Sequence, residues 1–345
     1  MKQKPAHWED RHYADEPDPL YVTVPPPELI TKSTAEDVLD ESHQRAFSRA
    51  VSNVLSTPIA EETFAQIVDG LPLEIVALTT RRGRMADEDP CLNHVALCPG
   101  ALEKTKEYRT EFNPGRLNIA ATALQRYQNT PVGSKASKMP FIELVAVAVH
   151  SIAVELMNLD VGLHKDATRP SEEASVENTC SRRRATPFKL RFYSTPEQYP
   201  DGAAEMAGYW AEDRIFGGVV LFGRGEDGTG YDGVWLHSHR TRVTRRIYEL
   251  TEDQRLSLLR FLEKEQMEDD DSASPLPILG DRNNRRRVDP EIAMPEFNVY
   301  RDRWERTVDC ENWGSYRTPS GRNHVDYPEL EDQYLESLSR SEGNA

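Results

Sequence analysis

Residues Met139 to Asp166, MPFIELVAVAVHSIAVELMNLDVGLHKD, are apolar enough to require burial on most sides, and reading them as a helix decides the fold. At about 100° per residue, Glu143, His150, Ser151, Glu155 and Asn158 fall in one sector of roughly 140°. The rest of the circumference is Phe, Ile, Leu, Val, Ala and Met. Pro140 suits the first turn, where its missing N–H costs nothing, and Gly162 suits a stop just past the end. A membrane span needs about 20 apolar residues with almost no charge. Two glutamates and a histidine argue against that, so the spacing predicts a core helix carrying one narrow polar strip.

The strip is the first place to look for chemistry. A zinc-protease helix needs two histidines four residues apart with a glutamate beside the first. Here His150 is followed four positions on by Val154. Glu143 and His150 lie two turns apart, about 10 Å along the axis, too far to share one ion. His150 therefore reads as a hydrogen-bonded histidine in or beside the core, with an acid, base or ligand role as the alternative. His164, next to Lys165 and Asp166, reads as a solvated neighbour of the helix end, where positive charge is favourable.

Downstream, a charged loop over 166–187 precedes a change of period from helical to alternating. FKLRFY (188–193) reads as a strand, YWAEDRIFGGVVLF (209–222) as two strands bent or bulged at Gly217-Gly218, and GVWLHSH (233–239) and Thr244–Glu249 as their continuation. These form an antiparallel meander laid over the central helix. A helix follows within 250–266, with Thr251 as N-cap and Glu252 and Asp253 in its first turn. From Met267 the chain reads as an acidic linker and a partly disordered tail, with a short helix near Glu329–Leu338 and Tyr300, Trp304, Trp313 and Tyr316 as surface anchors.

Upstream, residues 1–33 are acidic, carry the triplet Pro25–Pro27 and read as a mostly extended arm. Ser33–Leu55 has a capping start and helical spacing, and Thr57-Pro58 opens a second helix through Val68 that Gly70 stops. Leu73–Thr79 is a short strand or a helical turn; periodicity does not separate the two at that length. Helices over Ala101–Phe112 and Arg116–Gln128 flank Asn113-Pro114-Gly115. The class that follows is α+β, one domain over 34–266 with an N-terminal helical half packed on a C-terminal antiparallel meander between acidic flanks.

The net charge of −16 is unevenly spread. Residues 1–43 carry ten acids against four bases, and 267–345 carry eighteen against ten, which leaves the middle close to neutral at −2. Such a far field disfavours nucleic acid, whose affinity comes from clustered Lys and Arg. The local runs Arg182–Arg184, Arg285–Arg287 and Arg240, Arg242, Arg245, Arg246 read as a surface that balances nearby acids. Four scattered cysteines, Cys91, Cys98, Cys180 and Cys310, do not make a disulfide framework. The N-terminus has no apolar core of a secretory signal, so a cytoplasmic location without a membrane segment is expected.

Several motifs are refused on mechanism. GRGEDG (223–228) has the spacing of a dinucleotide fingerprint, yet a strand rather than a helix follows, and Glu226, Asp227 and Asp232 stand where phosphate would sit. It reads as a hairpin connection. No Gly-x-Ser-x-Gly elbow and no set of kinase signatures occurs. Cys91, His94 and Cys98 are good zinc ligands, but they are only three and fit no common spacing, so free thiols and an ordinary loop histidine are expected. No cofactor is strongly implied. His237 and His239 are the best metal candidates, because alternate strand residues share a face, with Glu212 or Asp213 on the preceding strand as a third ligand.

The run YPDGAAEMAGYWAEDRIFGGVVLFGRG (199–225) places Asp201, Glu205, Glu212 and Asp213 among Tyr199, Tyr209 and Trp210. Together with the upstream helix it resembles, over about 140–265, a group of uncharacterised proteins of filamentous fungi. That resemblance implies a fungal source and contributes no catalytic residues. The leading expectation for function is a non-enzymatic binding or scaffold protein with another protein as partner. The competing one is an enzyme, hydrolytic or metal-dependent, with a polar pocket between the central helix and the sheet, using His150 with Glu212, Asp213, His237 or His239.

Overall fold

The computed structural model describes residues 30–80, 89–159, 164, 186–265, 274–306 and 325–328. The arm before residue 30, the loop 165–185 with its arginine triplet, and the helix expected over 329–338 lie outside the described residues.

In the N-terminal half a short strand β1 (Lys32–Thr34) leads into α1 (Ala35–Val38) and α2 (Glu41–Leu55). The single helix expected over 33–55 breaks at Leu39 because Asp40 caps a new start, its side chain accepting from the backbone N–H groups of Ser42 and His43. Next comes α3 (Pro58–Asp69), where Thr57 caps and Pro58 opens the first turn. Gly70, at φ 92°, closes α3 in the left-handed conformation that spares only glycine a Cβ penalty. Glu74–Thr79 is helical, α4. A 3-10 turn over Pro90–Asn93 precedes α5 (Ala101–Glu111). Residues 116–128 divide into β2 (Asn118–Ala120), which pairs antiparallel with β1, and α6 (Ala121–Gln128).

The central helix α7 spans Lys138–Asn158 and is sheathed by α2, α3, α6 and a further helix, α8 (Ala203–Phe216). Among the described residues α7 alone is long and apolar enough to cross a membrane by composition, and it is mostly buried inside the protein. Helix α8 corrects the strand reading of 209–216. All residues from Ala204 to Phe216 are buried. A segment wrapped on every side loses the periodicity that separates helix from strand. Alanines at 203, 204, 207 and 211 favour the helix, and Gly217 at φ 99° ends it. FKLRFY is likewise not a strand; only an isolated bridge joins Leu190 to Tyr193.

The sheet begins at β3 (Val219–Gly223), pairs it with β4 (Val234–His237) and then β5 (Ile247–Glu249), the expected meander. Helix α9 (Glu252–Glu263) starts with a capping box in which Thr251 and Gln254 bond each other's backbone N–H and packs back on α2. The chain beyond 266 then completes the sheet instead of trailing from it. Strand β6 (Arg287–Val288) pairs with β5, helix α10 (Pro290–Phe297) crosses, and β7 (Val299–Tyr300) pairs with β3. The strand order is β6-β5-β4-β3-β7, antiparallel throughout, so both edges come from residues after the expected domain boundary. One large apolar core runs from Ala35 to Val299.

Candidate functional site

All five members of the polar strip on α7, Glu143, His150, Ser151, Glu155 and Asn158, line one cavity of about 530 Å³. Its other walls are β1 (Lys32), β2 and α6 (Asn118, Arg126), α8 (Glu205, Tyr209) and the chain leaving β7 (Arg301, Asp302, Trp304). The cavity thus sits where the central helix meets the sheet edge that the C-terminal segment supplies.

At one end Glu143, fully enclosed, accepts two hydrogen bonds from Arg126, Nε to Oε2 at 3.1 Å and Nη2 to Oε1 at 2.8 Å. Arg224 Nη2 reaches the same Oε1 at 2.6 Å, and the Tyr231 hydroxyl donates to Oε2. Burial alone would raise the Glu143 pKa, but the charges of Arg224 and Arg126 outweigh it and hold the carboxyl below its ordinary range. Arg224 also donates to the carbonyls of Tyr300 (3.1 Å) and Arg301 (2.9 Å), tying β3 to the chain after β7. This arginine belongs to GRGEDG, which is a β3–β4 hairpin connection in which Asp227 accepts from Thr229 N and Gly230 N.

At the other end His150 sits between two carboxylates. Its Nδ1 lies 2.8 Å from Glu212 Oε1 and its Nε2 lies 2.5 Å from Glu205 Oε2. Ionised carboxylates only accept, so both ring nitrogens carry protons and the ring is an imidazolium. Burial would lower its pKa; the charge of Glu205 and the hydrogen bonds to both glutamates outweigh that and raise it. Glu212 is further bound by Arg301 Nη1, 2.8 Å from each oxygen, and by Val220 N at 3.1 Å. It stays ionised against burial chiefly through Arg301. Gly208 on α8 permits this approach, since a Cβ there would collide with the His150 ring.

Glu155, one turn beyond Ser151, stands in a different field. Burial raises its pKa, and the hydrogen bond from Tyr108 OH (2.9 Å) and the charge of Lys32 offset this only in part. Glu205 is pulled the other way: burial opposes, and His150 wins and keeps it ionised. Lys32, paired with Asp201 at 2.6 Å, acts on both glutamates, which places them in one neighbourhood.

Glu212 belongs to the cavity's supporting network, on a helix rather than a strand. Asp213 is directed away, accepting from His239 N at 2.7 Å and so pinning the end of β4 to α8. His237 and His239 are both buried with ring centroids 4.5 Å apart, and Tyr193 OH lies 3.1 Å from His237 Nδ1. Their proximity is as the alternation requires. Neither Glu212 nor Asp213 joins them in a metal-sized set, because Glu212 is committed to Arg301 and His150; among the described residues the one such set lies elsewhere, at Asp69, His94, Cys98 and His164. Cys91 is not part of it and packs with Leu71 and Ala77. Of the basic runs, Arg245, Arg246 and Arg286 face Asp326, Asp289 and Glu249.

Sequence reasoning found the strip but not Arg126, Arg224, Arg301 or Glu205 as its partners. Only a count of buried carboxylates needing countercharge would have pointed to arginines at all. Comparison with protein-family models, with curated proteins and with solved structures finds no match.

Proposed function

We propose that the cavity on α7 binds a small polar, hydroxyl-bearing substrate and hydrolyses it by acid–base chemistry, with Glu155 as the proton donor and Glu205 as the ionised partner. The observation that carries this reading is two carboxyls on one cavity whose surroundings drive their protonation in opposite directions, the arrangement that divides acid from base. Cleavage of an acetal-type bond needs such a pair, one protonated to release the leaving oxygen and one charged to activate water or stabilise positive charge at carbon. Trp304 supplies aromatic surface for a sugar-like ring, and Lys32 and Asn118 supply donors for its hydroxyls.

In this scheme His150 is a positioning residue. Both of its protons are engaged, so it aims Glu205 and keeps it charged, with Glu212 and Arg301 behind it. The test is turnover of a panel of 4-nitrophenyl glycosides with the unmodified protein and with Glu155→Gln. Loss of a general acid lowers the rate by about 10²–10⁴-fold. Absence of turnover across the panel, together with no change in Trp fluorescence on adding the parent sugars, would sink the reading.

A second reading, a non-enzymatic partner-binding protein, is favoured by exposed apolar side chains at Ile75, Leu78 and Val95. Residues 75 and 78 share one face of α4, and Glu74 N bonds His94 O, which brings Val95 alongside. On that reading Leu78→Glu abolishes partner capture and leaves thermal stability unchanged.

A further inference from the structure

Away from the cavity, four side chains from three separate parts of the chain share one small volume. Asp69, the last residue of α3, lies with Oδ2 3.1 Å from His94 Nε2 and Oδ1 3.0 Å from His164 Nδ1. Cys98 Sγ is 3.8 Å from His164 Nδ1 and 3.6 Å from its Nε2, and the Cys98 backbone N–H donates to Asp69 Oδ2 at 2.8 Å. One potential ligand atom from each of the four lies within 4.8 Å of all the others.

The proton positions at His94 are informative. The Pro72 carbonyl, 3.1 Å from His94 Nδ1, can only accept, so Nδ1 carries a proton. A neutral His94 then aims its Nε2 lone pair at a carboxylate oxygen, two acceptors face to face. A cation between them resolves this. An imidazole whose outer N–H is fixed on a backbone carbonyl is also how metal-ligating histidines are oriented.

We propose that Asp69, His94, Cys98 and His164 bind a zinc ion, and that the site is structural because four protein ligands close the tetrahedron. A tetrahedron with arms of about 2.1 Å to N or O and 2.3 Å to S has N–O edges of about 3.4 Å and N–S edges of about 3.6 Å. The observed separations of 3.0 and 3.1 Å, made by the two different oxygens of Asp69, and 3.8 Å from Cys98 to His164 lie near these values, and one ligand atom from each residue lies within 4.8 Å of the others, so a small inward shift closes the set on an ion. Thiolate, imidazole and carboxylate together suit zinc better than the hard, all-oxygen cations. Asp69 and His94 are buried while Cys98 and His164 are half-buried, which gives the ion a way in.

The ion joins the end of α3, the turn before α5 and the chain that follows α7. The ion lies beside Leu71, Ala77 and Cys91, an apolar cluster separate from the main core and too small to contribute much stability by itself. The sequence signal was half visible as His94 and Cys98, with the remaining two ligands 25 and 66 positions from one of them.

The experiment uses the untagged full chain purified without chelator. Plasma mass spectrometry is expected to find about one zinc ion per chain. Competition with a chelator of known affinity is expected to show weakening of more than about 100-fold in Cys98→Ser and in Asp69→Asn, beyond the 10–100-fold typical of losing an outer-shell contact. The His237→Ala/His239→Ala variant keeps its zinc. Should the ligand variants not fold, iodoacetamide labelling of the unmodified protein, mapped by peptide, is expected to show Cys98 labelled after the metal is stripped with a chelator and protected again when zinc is returned. Equal labelling of the stripped and the zinc-reloaded protein overturns the proposal, as does a folded protein that takes up no zinc. Zinc lost only in the His237→Ala/His239→Ala variant overturns it too, by placing the ion elsewhere. None of these readouts depends on activity at the α7 cavity.

Discussion

At the residue scale two buried carboxylates of the α7 and α8 network are each held by several partners. Glu143 has two arginines and a tyrosine, and Glu212 has an arginine, a histidine and a backbone amide. Removing one partner of such a set strands the others, at a cost of about 3–5 kcal/mol. Glu143→Gln is therefore expected to lower unfolding stability by that order, read from the midpoint of urea denaturation with an unchanged slope. The pH dependence follows from the shifts. His150 is raised in the folded state, so its contribution is full below its unfolded value of about 6.5 and is lost as pH rises through the folded value. Glu205 and Glu212 are lowered, so theirs is full above about 4.5 and is lost as pH falls through the folded values. The stability gap between the protein and His150→Gln should be widest between those limits and shrink on both sides. A gap independent of pH would refute the imidazolium. The polar strip itself was legible, because side chains on one helix obey a fixed angle. Its partners were not, because an arginine 81 residues away leaves no local trace.

At the scale of the element, α8 shows where reading by period fails. A helix buried on every face has no stripe, and its alanine content was the better guide than its alternation. The helix also contains a glycine that propensity alone would replace. In an exposed helix Gly→Ala stabilises by about 1 kcal/mol. Here Gly208→Ala is expected to destabilise, because the new methyl meets the His150 ring. In the His150→Ala background the same change is expected to recover its ordinary stabilising sign. A double-mutant cycle by thermal melting checks this, and additive effects would count against the close packing. The caps at Thr57 and Thr251 were readable, each accepting the backbone N–H that its residue type anticipates, whereas Asp40 lay hidden inside what read as one helix from Ser33.

At the scale of the molecule, the α+β class and the meander were readable from the chain, whereas the extent of the sheet was not. Two-residue strands carry no periodicity, and the acidic composition around them resembles that of a tail. Residues 274–306 nevertheless bring both edge strands, Arg301 and the cavity's Trp304. Truncation after residue 273 is expected to give a chain without cooperative unfolding, since it bares both edges and removes the countercharge of Glu212. A sharp, native-like melt of that fragment would disprove the sheet's dependence on it.

The late arrival of Arg301 also matters during synthesis. A nascent chain makes α7 and α8 long before it makes the guanidinium that Glu212 needs. Until that residue clears the ribosome the two helices cannot close on each other without burying an unmatched negative charge, so the cavity is completed only after residue 301 has been made.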